Sequence, residues 1–570
     1  MFVDIVNKIK SILKPLMRQE VLFYFFLAVL MLPNVLLAIT ESLSPLERIC
    51  SIVFPLGCYY MITTLTRRLG WSIWLLCPIS LLAGVQVVLL YIYGKSVIAS
   101  DMFLNLVTTD VNESAELLSN LLLILSIVVL LYITPFIIAT FYLVRKQKLN
   151  KAFLRKNRYV ATFFALLGVI LLGICYVSID SFSLKTGVYP INACYNMVNA
   201  VSRHDMLKKY TKTSRDFVYK ASSSHSAQQR EIYIVVIGET SRACNWELIG
   251  YNRATNPKLK TIDDLFIFDK VLTEANITHK SVPMLLSSAS AENYNIIYNQ
   301  KSIITAFKEA GFNTAFFSTQ AHTETLTDYF AKEADEYDYI RDRYSVYGSD
   351  PYDSDLVECA RRVIKNGSQK QLIILHTYGS HFNYASRYPQ DMAYFKPDSP
   401  ISPQKENLLQ LLNAYDNTIR YTDSILYNII SMLNNIEDAH TSLIYVSDHG
   451  EDIFDKDGDV IFHSSTMPSY YQLHVPMLVW LSEGYKTSYP QVETSLRANL
   501  HSNISSSASF FHSILNIAGV ETIHRDDTYS FASKSYIERQ RLYLDDYYNG
   551  VPLMSIDMRD NDFAMLSSFN

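Results

Sequence analysis

Leu443-Ile444-Tyr445-Val446-Ser447-Asp448-His449-Gly450-Glu451-Asp452 is an apolar run that breaks abruptly into acids and a histidine. The run has the length and character of a buried strand, and Asp448 and His449 stand where that strand gives way to a loop. Adjacent Asp and His suit a hard or borderline metal such as zinc. Taken alone, the pair is explained equally well by a polar turn. Outward from it the same pattern recurs. Glu231 to Ile237 ends in Gly238-Glu239-Thr240-Ser241-Arg242, and Leu372 to Leu375 ends in His376 with His381 shortly after. Thr314 to Phe317 leads into Ser318-Thr319-Gln320, and Val475 to Trp480 is preceded by Phe462-His463. Helix-like stretches lie between them at 302–310, 352–365, 405–433 and 507–518. Alternating strands and helices predict an α/β domain with a mostly parallel central sheet flanked by helices. In such sheets functional groups gather beyond the carboxyl ends of the strands.

The first third of the chain is of another kind. Five apolar segments, at about 21–40, 48–65, 71–93, 117–143 and 159–178, approach the ~20 residues that a membrane-spanning helix needs. Lys8, Lys10, Lys14 and Arg18, the Thr66-Arg67-Arg68 turn, and the stretch from Arg145 to Arg158 are positive, whereas the loops at 41–47 and 94–116 are not. The positive-inside rule then places the N-terminus in the cytoplasm. Five spans put everything after about residue 180 on the outer side, which for a bacterial inner-membrane protein is the periplasm. Buried core helices account for neither the number, the length nor the charge alternation of these segments. The expected organisation is a transmembrane domain at 1–179 with an external loop at 94–116, a linker with an interfacial helix at 180–230, and a catalytic domain at 231–570.

A net charge of −5 and the lack of a basic patch exclude nucleic acid as a partner. Of the seven cysteines, Cys50, Cys58, Cys77 and Cys175 lie in or beside apolar runs, and Cys194, Cys244 and Cys359 are scattered without metal-type spacing. A cysteine-based zinc site is thereby excluded, and at most one disulfide can form among the last three.

Four strand-associated clusters of Glu, Asp and His in one α/β domain point to a metal site. Asn276-Ile277-Thr278-His279-Lys280-Ser281 adds two hydroxyls, Thr278 and Ser281. A hydroxyl becomes a nucleophile at neutral pH when a metal or a base takes its proton, and Thr278 could equally be a helix cap. The residues leave the choice between the two open. In the external loop, Asn105, Thr109 and Glu113 recur every fourth residue and share one face if helical. That face is either solvated or touches a lipid head group at the bilayer surface.

These residues together resemble the bacterial phosphoethanolamine transferases, the group of lipid A modifiers and colistin-resistance enzymes within the alkaline phosphatase and sulfatase superfamily. The resemblance spans nearly the whole length. It rests on Val236 to Arg242, Tyr251 to Pro257, Thr278 with Ser281-Val282-Pro283, His376 to His381, Val446 to Glu451, and His474 to Trp480. It implies a periplasmic sulfatase-like domain behind five transmembrane helices. The family's zinc ligands fall on Glu239, Thr278, Asp448 and His449, with Thr278 as nucleophile, and its phosphate-contacting histidines fall on His381 and His463. Its lipid-contacting loop residues fall on Asn105, Thr109 and Glu113. The implied reaction has two steps: Thr278 takes phosphoethanolamine from phosphatidylethanolamine, releasing diacylglycerol, and hands it to lipid A, lipopolysaccharide core or another envelope glycan. Two departures stand out. Cysteines that flank the nucleophile in better-known members are Glu274 and Met284 here, and a lysine that some members place on the donor phosphate is replaced in a loop offering Gln320 and His322. A glycerophosphate transferase of the lipoteichoic acid synthase type shares the architecture. A sulfatase-like hydrolase is disfavoured by the lack of a Cys-x-Pro-x-Arg motif.

Overall fold

The structure, a computed structural model, describes residues 18–94, 96–108, 122–180, 182–345, 350–399, 403–455, 460–464 and 467–569. It divides into two compact units, one formed by 1–103 and 117–201, the other by 104–116 and 202–570.

The first unit is helical: α1 Gln19–Thr40, α2 Pro45–Thr64, α3 Leu69–Leu75, α4 Cys77–Tyr93, the start of α5 Ser100–Thr108, α6 Leu122–Val144 and α7 Lys151–Ser178. Helices α1, α6 and α7 are long and apolar enough to cross a membrane, and α3 with α4 make a fourth span if the pair, bent by 59°, is taken as one. The segment expected at 48–65 is helix α2, whose apolar character is diluted by Glu47, Arg48, Pro55, Tyr59 and Tyr60. Its start is well defined: Ser44 and Glu47 form a reciprocal capping box around Pro45. Helices α2 and α7 cross at small residues. A Cβ on Gly57 would lie 2.6 Å from Ala165 Cα, and one on Gly168 2.7 Å from Phe54 Cα. Polar side chains inside this unit pair with one another in places, as where Asn157 accepts hydrogen bonds from Tyr24 and Tyr60.

Helix α8 Ile191–Thr213 leads into the second unit. Its core is a seven-stranded sheet of β1 Glu231–Gly238, β2 Phe266–Phe268, β3 Asn313–Ser318, β4 Glu336–Tyr339, β5 Lys370–His376, β6 His440–Ser447 and β7 Met477–Leu481, in the order β2-β7-β6-β1-β5-β3-β4. From β6 to β4 all neighbours are parallel, whereas β7 runs antiparallel to both β6 and β2, so the sheet is mixed. Every residue of β1 is buried. Tyr233, Val235 and Ile237 pack on one face with α9 Thr278–Leu285, α10 Ile303–Glu309 and α13 Ser506–Ile517. Ile232, Ile234 and Val236 pack on the other with α11 Asp355–Lys365 and α12 Leu408–Asn434. A strand covered on both sides reads as an unbroken apolar run, which is why the sequence shows no alternation there.

Two histidines are built into this core as neutral groups. His474 accepts from Tyr470 at Nδ1 (2.7 Å) and donates from Nε2 to the Asp269 carbonyl (2.9 Å). Burial pushes it down to about 4, as burial does for His512. A histidine whose pKa falls on folding stabilises fully above its unfolded value of about 6.5, and that stability is lost as pH falls toward 4. We expect denaturation midpoints to fall over that window. In His474→Gln the loss should shrink by up to roughly 3 kcal/mol, and an unchanged pH slope in that variant would refute a neutral buried His474.

Candidate metal centre and active site

The strand ends are level. Gly238 pairs with Ser447 and Ile237 with His376, so Glu239 and Asp448 emerge side by side on one rim of the sheet, with Thr377 beside them. Beyond β1 the chain turns at Thr240, a β-branched residue held at φ 58°. Three contacts fix it: its N–H donates to Asp448 Oδ1 (3.2 Å), its carbonyl accepts from Tyr415 (2.7 Å), and its hydroxyl donates to Glu239. The loop after β5 closes over Glu239 through Gly379, at φ 53°, where a Cβ would lie 2.6 Å from the Glu239 carbonyl oxygen. Gly379→Ala meets both the backbone strain and that clash. It should destabilise the domain by about 2 kcal/mol or more and weaken metal binding, read by thermal melting and metal titration. Wild-type affinity in that variant would show that the loop does not seat Glu239.

Glu239, Asp448 and His449 are buried and place one donor atom each within 4.8 Å of one another. Thr278 is the first residue of α9, and its Oγ1 lies 3.1 Å from both Glu239 Oε2 and His449 Nε2. Glu239 Oε1 and Asp448 Oδ2 lie 3.5 and 3.3 Å from His449 Nε2. A tetrahedral ion with bonds of ~2.0 Å has edges of ~3.3 Å, which is close to the spacings of Thr278, Glu239 and Asp448 from His449 Nε2 and of Thr278 from Glu239. Ser281, one turn into α9, is fully buried and donates to Asp448 Oδ2 (3.1 Å) and to the Ile277 carbonyl (3.0 Å). Thr278 lines the cleft and Ser281 does not.

The charges make the same demand. Burial and the neighbouring Glu239 push the Asp448 carboxyl well above its usual range. Burial pushes Glu239 the same way, but the His449, His381 and His463 rings, in their protonated forms, and the Thr240 hydroxyl pull it down to about 2. His449 is pushed down to about 3, first by burial and then by His463. Neutral His449 donates from Nδ1 to the Gly450 carbonyl (2.9 Å), which leaves the Nε2 lone pair facing Thr278. Two buried carboxylates beside a neutral imidazole hold more negative charge than the site can solvate, and a divalent cation relieves it.

The cleft over these residues has about 130 Å³ of space open to water-sized molecules. His381 and His463 line it, with ring centres 5.9 Å apart, and His463 lies 4.3 Å from the His449 ring. Gln320 lines it too, but its Nε2 donates to Glu239 Oε2 and to the Thr377 carbonyl, both at 2.9 Å. Its amide therefore seats the Glu239 carboxylate. His322 lies against Tyr339, with ring centres 5.4 Å apart, and does not line the cleft. Asn105 belongs to α5, but its side chain, together with Thr109 and Glu113, lies outside the described residues.

Residues to which the sequence assigned no role complete the site. His376 lines the cleft and is pushed down to about 4 by burial. Glu451 is buried behind His463, with Oε2 3.6 Å from Nδ1. The Thr278 loop is braced by hydrogen bonds. Asn276 donates to Gln472 Oε1 (2.7 Å) and accepts from Tyr543 (2.8 Å), Gln472 donates to Asp452 (2.8 Å), and Arg559 pairs with Asp452 (2.6 Å). Glu274 accepts from the Ala291 N–H (2.8 Å), and Met284 is buried in the core. Every cysteine is a free thiol.

A family model described as Sulfatase matches residues 231–520, and one described as Phosphoethanolamine transferase EptA/EptB matches residues 60–204. Phosphoethanolamine transferase EptC of Escherichia coli O18:K1:H7 is 25% identical over 472 residues, covering 79% of this chain and 80% of that protein. The integral membrane lipooligosaccharide phosphoethanolamine transferase A of Neisseria meningitidis shares the fold with a TM-score of 0.68 at 19% identity, covering 88% of this chain and 98% of that one. The periplasmic domain of Escherichia coli EptC in complex with zinc superposes with a TM-score of 0.53 at 23% identity, covering 61% and 98%. With the sulfatase model covering half of its length and the transferase model matching its helical part, the chain belongs to the sulfatase family, in its phosphoethanolamine-transferase branch.

Proposed function

We propose that this enzyme moves phosphoethanolamine from phosphatidylethanolamine to lipid A, lipopolysaccharide core or another envelope glycan, with Thr278 as the covalent carrier and diacylglycerol as the first product. The observation that carries the reading is the Thr278 hydroxyl, 3.1 Å from both Glu239 and His449 at the mouth of the cleft. Glu239, Thr278, Asp448 and His449 would hold one zinc ion, which when bound stabilises the Thr278 alkoxide and offsets phosphoryl charge. Thr278 Oγ1 attacks phosphorus and the bond to the glycerol oxygen breaks. His381 and His463, which line the cleft, hold the phosphoryl oxygens and pass the proton released from Thr278 Oγ1 to that leaving oxygen. The acceptor oxygen then attacks the same phosphorus and Oγ1 leaves. Gln320 keeps Glu239 aimed at the site throughout.

The setting is the bacterial inner membrane, crossed five times, with the N-terminus in the cytoplasm and the catalytic unit in the periplasm. The apolar helices α1, α6 and α7 and the bent α3–α4 pair support it, with α2 completing the count. Asn105, Thr109 and Glu113 would meet the lipid head group. The test uses the full chain in detergent with phosphatidylethanolamine and no acceptor. Mass spectrometry should find one phosphoethanolamine on the peptide containing Thr278, with diacylglycerol released in equal amount. Diacylglycerol release with no adduct on Thr278 would refute the covalent route.

A further inference from the structure

Two loops from different strands hold Glu239 in place, and one buried carboxylate outside the cleft is bonded to both. Asp353 stands two residues before α11, is buried, and does not line the cleft. Its Oδ1 accepts from the Tyr378 N–H (2.8 Å) and from the Thr319 hydroxyl, and its Oδ2 accepts from the Gly379 N–H (2.9 Å). Thr319 lies in the loop after β3, and Tyr378 and Gly379 lie in the loop after β5. The Thr319 oxygen also accepts from the Tyr378 N–H (2.9 Å), so Asp353, Thr319 and Tyr378 close a ring of bonds. Burial pushes the Asp353 carboxyl above its usual range, against the pull of Thr319, Tyr378, Gly379 and Arg387. No ion pair to it occurs among the described residues.

Each loop goes on to reach Glu239. Gln320, next to Thr319, donates to the Glu239 carboxylate and to the Thr377 carbonyl. Gly379 lies against the Glu239 backbone, and the Ser380 N–H donates to the Glu239 carbonyl (2.9 Å). His381, one residue further, lines the cleft. A buried carboxylate is costly unless donors fill its oxygens, and here the donors come from the two loops. An apolar side chain at 353 would leave the N–H groups of two successive residues without this acceptor. We propose that Asp353 is a positioning residue for the metal centre: it fixes the two loops against each other, and through Gln320, Gly379 and Ser380 it sets where Glu239 presents its carboxylate. The assignment rests on the reading of Glu239 as a metal ligand. Groups that hold a ligand from behind tune metal affinity without touching the ion.

The test titrates zinc against a competing chelator with the full chain in detergent, and follows amide hydrogen exchange in the metal-free protein. D353N keeps the shape, but its amide nitrogen must face either the Gly379 or the Tyr378 N–H, donor against donor. Zinc should bind at least about 10-fold more weakly, as expected when a group behind a ligand is lost. The amides of Tyr378, Gly379 and Ser380 should exchange at least about 10-fold faster, because bonds to a charged acceptor are gone. Excess zinc should restore part of the Thr278 adduct, since all four ligands remain. T319V removes one donor, keeps the carboxylate, and should weaken zinc binding by about 3-fold; it decides the matter alone should D353N fail to fold. Wild-type zinc affinity in folded D353N, or in T319V where D353N does not fold, overturns the proposal even if the melting temperature drops, because the loss is then one of stability alone. A wild type that binds no zinc would sink the ligand reading instead, and loop exchange in metal-free D353N would still report whether this carboxylate holds the loops.

Discussion

Thr278→Ala should abolish transfer, by roughly 10⁴-fold or more, as expected when a covalent nucleophile is removed. The size of the effect follows from the lack of a substitute. Ser281 holds the nearest candidate hydroxyl in sequence, but it is buried one turn away, committed to Asp448 and the Ile277 carbonyl, and outside the cleft. Moving it into the site would break both bonds and unwind the first turn of α9. Metal binding should survive in weakened form, because Glu239, Asp448 and His449 still converge. Thr278→Ser keeps the hydroxyl and should retain measurable activity, so the two variants together separate nucleophile from ligand. The measurement is diacylglycerol release and acceptor mass in the same detergent system, with bound metal quantified in parallel. Transfer by Thr278→Ala above about 1% of wild type would exceed what a site without its nucleophile can deliver and would reassign that role.

What the sequence disclosed and what it concealed follow from how local each feature is. The five strands expected from apolar runs are present, because a strand buried on both faces is written into consecutive residues. Two strands escaped notice for opposite reasons. Phe266–Phe268 is only three residues long, and Glu336–Tyr339 is a partly exposed edge strand with no apolar run. The carboxylates and the histidine of the candidate metal centre are legible as residue types at strand ends. Choosing between Thr278 and Ser281 needed the direction in which each faces from α9, which spacing does not give.

The least legible feature was the support of the Thr278 loop. With Glu274 and Met284 in place of cysteines, the brace runs through Asn276, Gln472, Asp452 and Arg559, so its links join residues far apart in the chain and carry no local signature. The Tyr251 to Pro257 motif illustrates the converse. It belongs to the resemblance, yet its residues serve packing. Tyr251 and Arg253 bind Asp416 of α12, and the backbone that follows, at Lys258 and Leu259, donates to Asp423.

Asp448→Asn should reverse the sign of the site's contribution to stability. Without metal, Asp448 and Glu239 are two buried carboxylates sharing one small space, and burial together with Glu239 drives the Asp448 pKa well above its usual range. An amide at 448 removes that conflict and keeps the frame. Its Oδ1 still accepts from the Thr240 and His449 N–H groups, now at 3.2 and 2.7 Å, and the Ser281 hydroxyl turns to accept where it donated. Metal-free Asp448→Asn should therefore be more stable than the metal-free wild type, by about 1–2 kcal/mol, and should melt a few degrees higher. Its metal affinity should fall more than ~100-fold, since losing a charged ligand costs more than losing an outer partner. The wild type should gain stability steeply when metal is added, by the linkage between binding and folding, while the variant gains little. Melting curves of both proteins with chelator and with added zinc give the four values needed. A metal-free variant less stable than the metal-free wild type would mean that Asp448 is retained for its hydrogen bonds to Thr240, His449 and Ser281, and that the excess negative charge of the rim is not what calls for the ion.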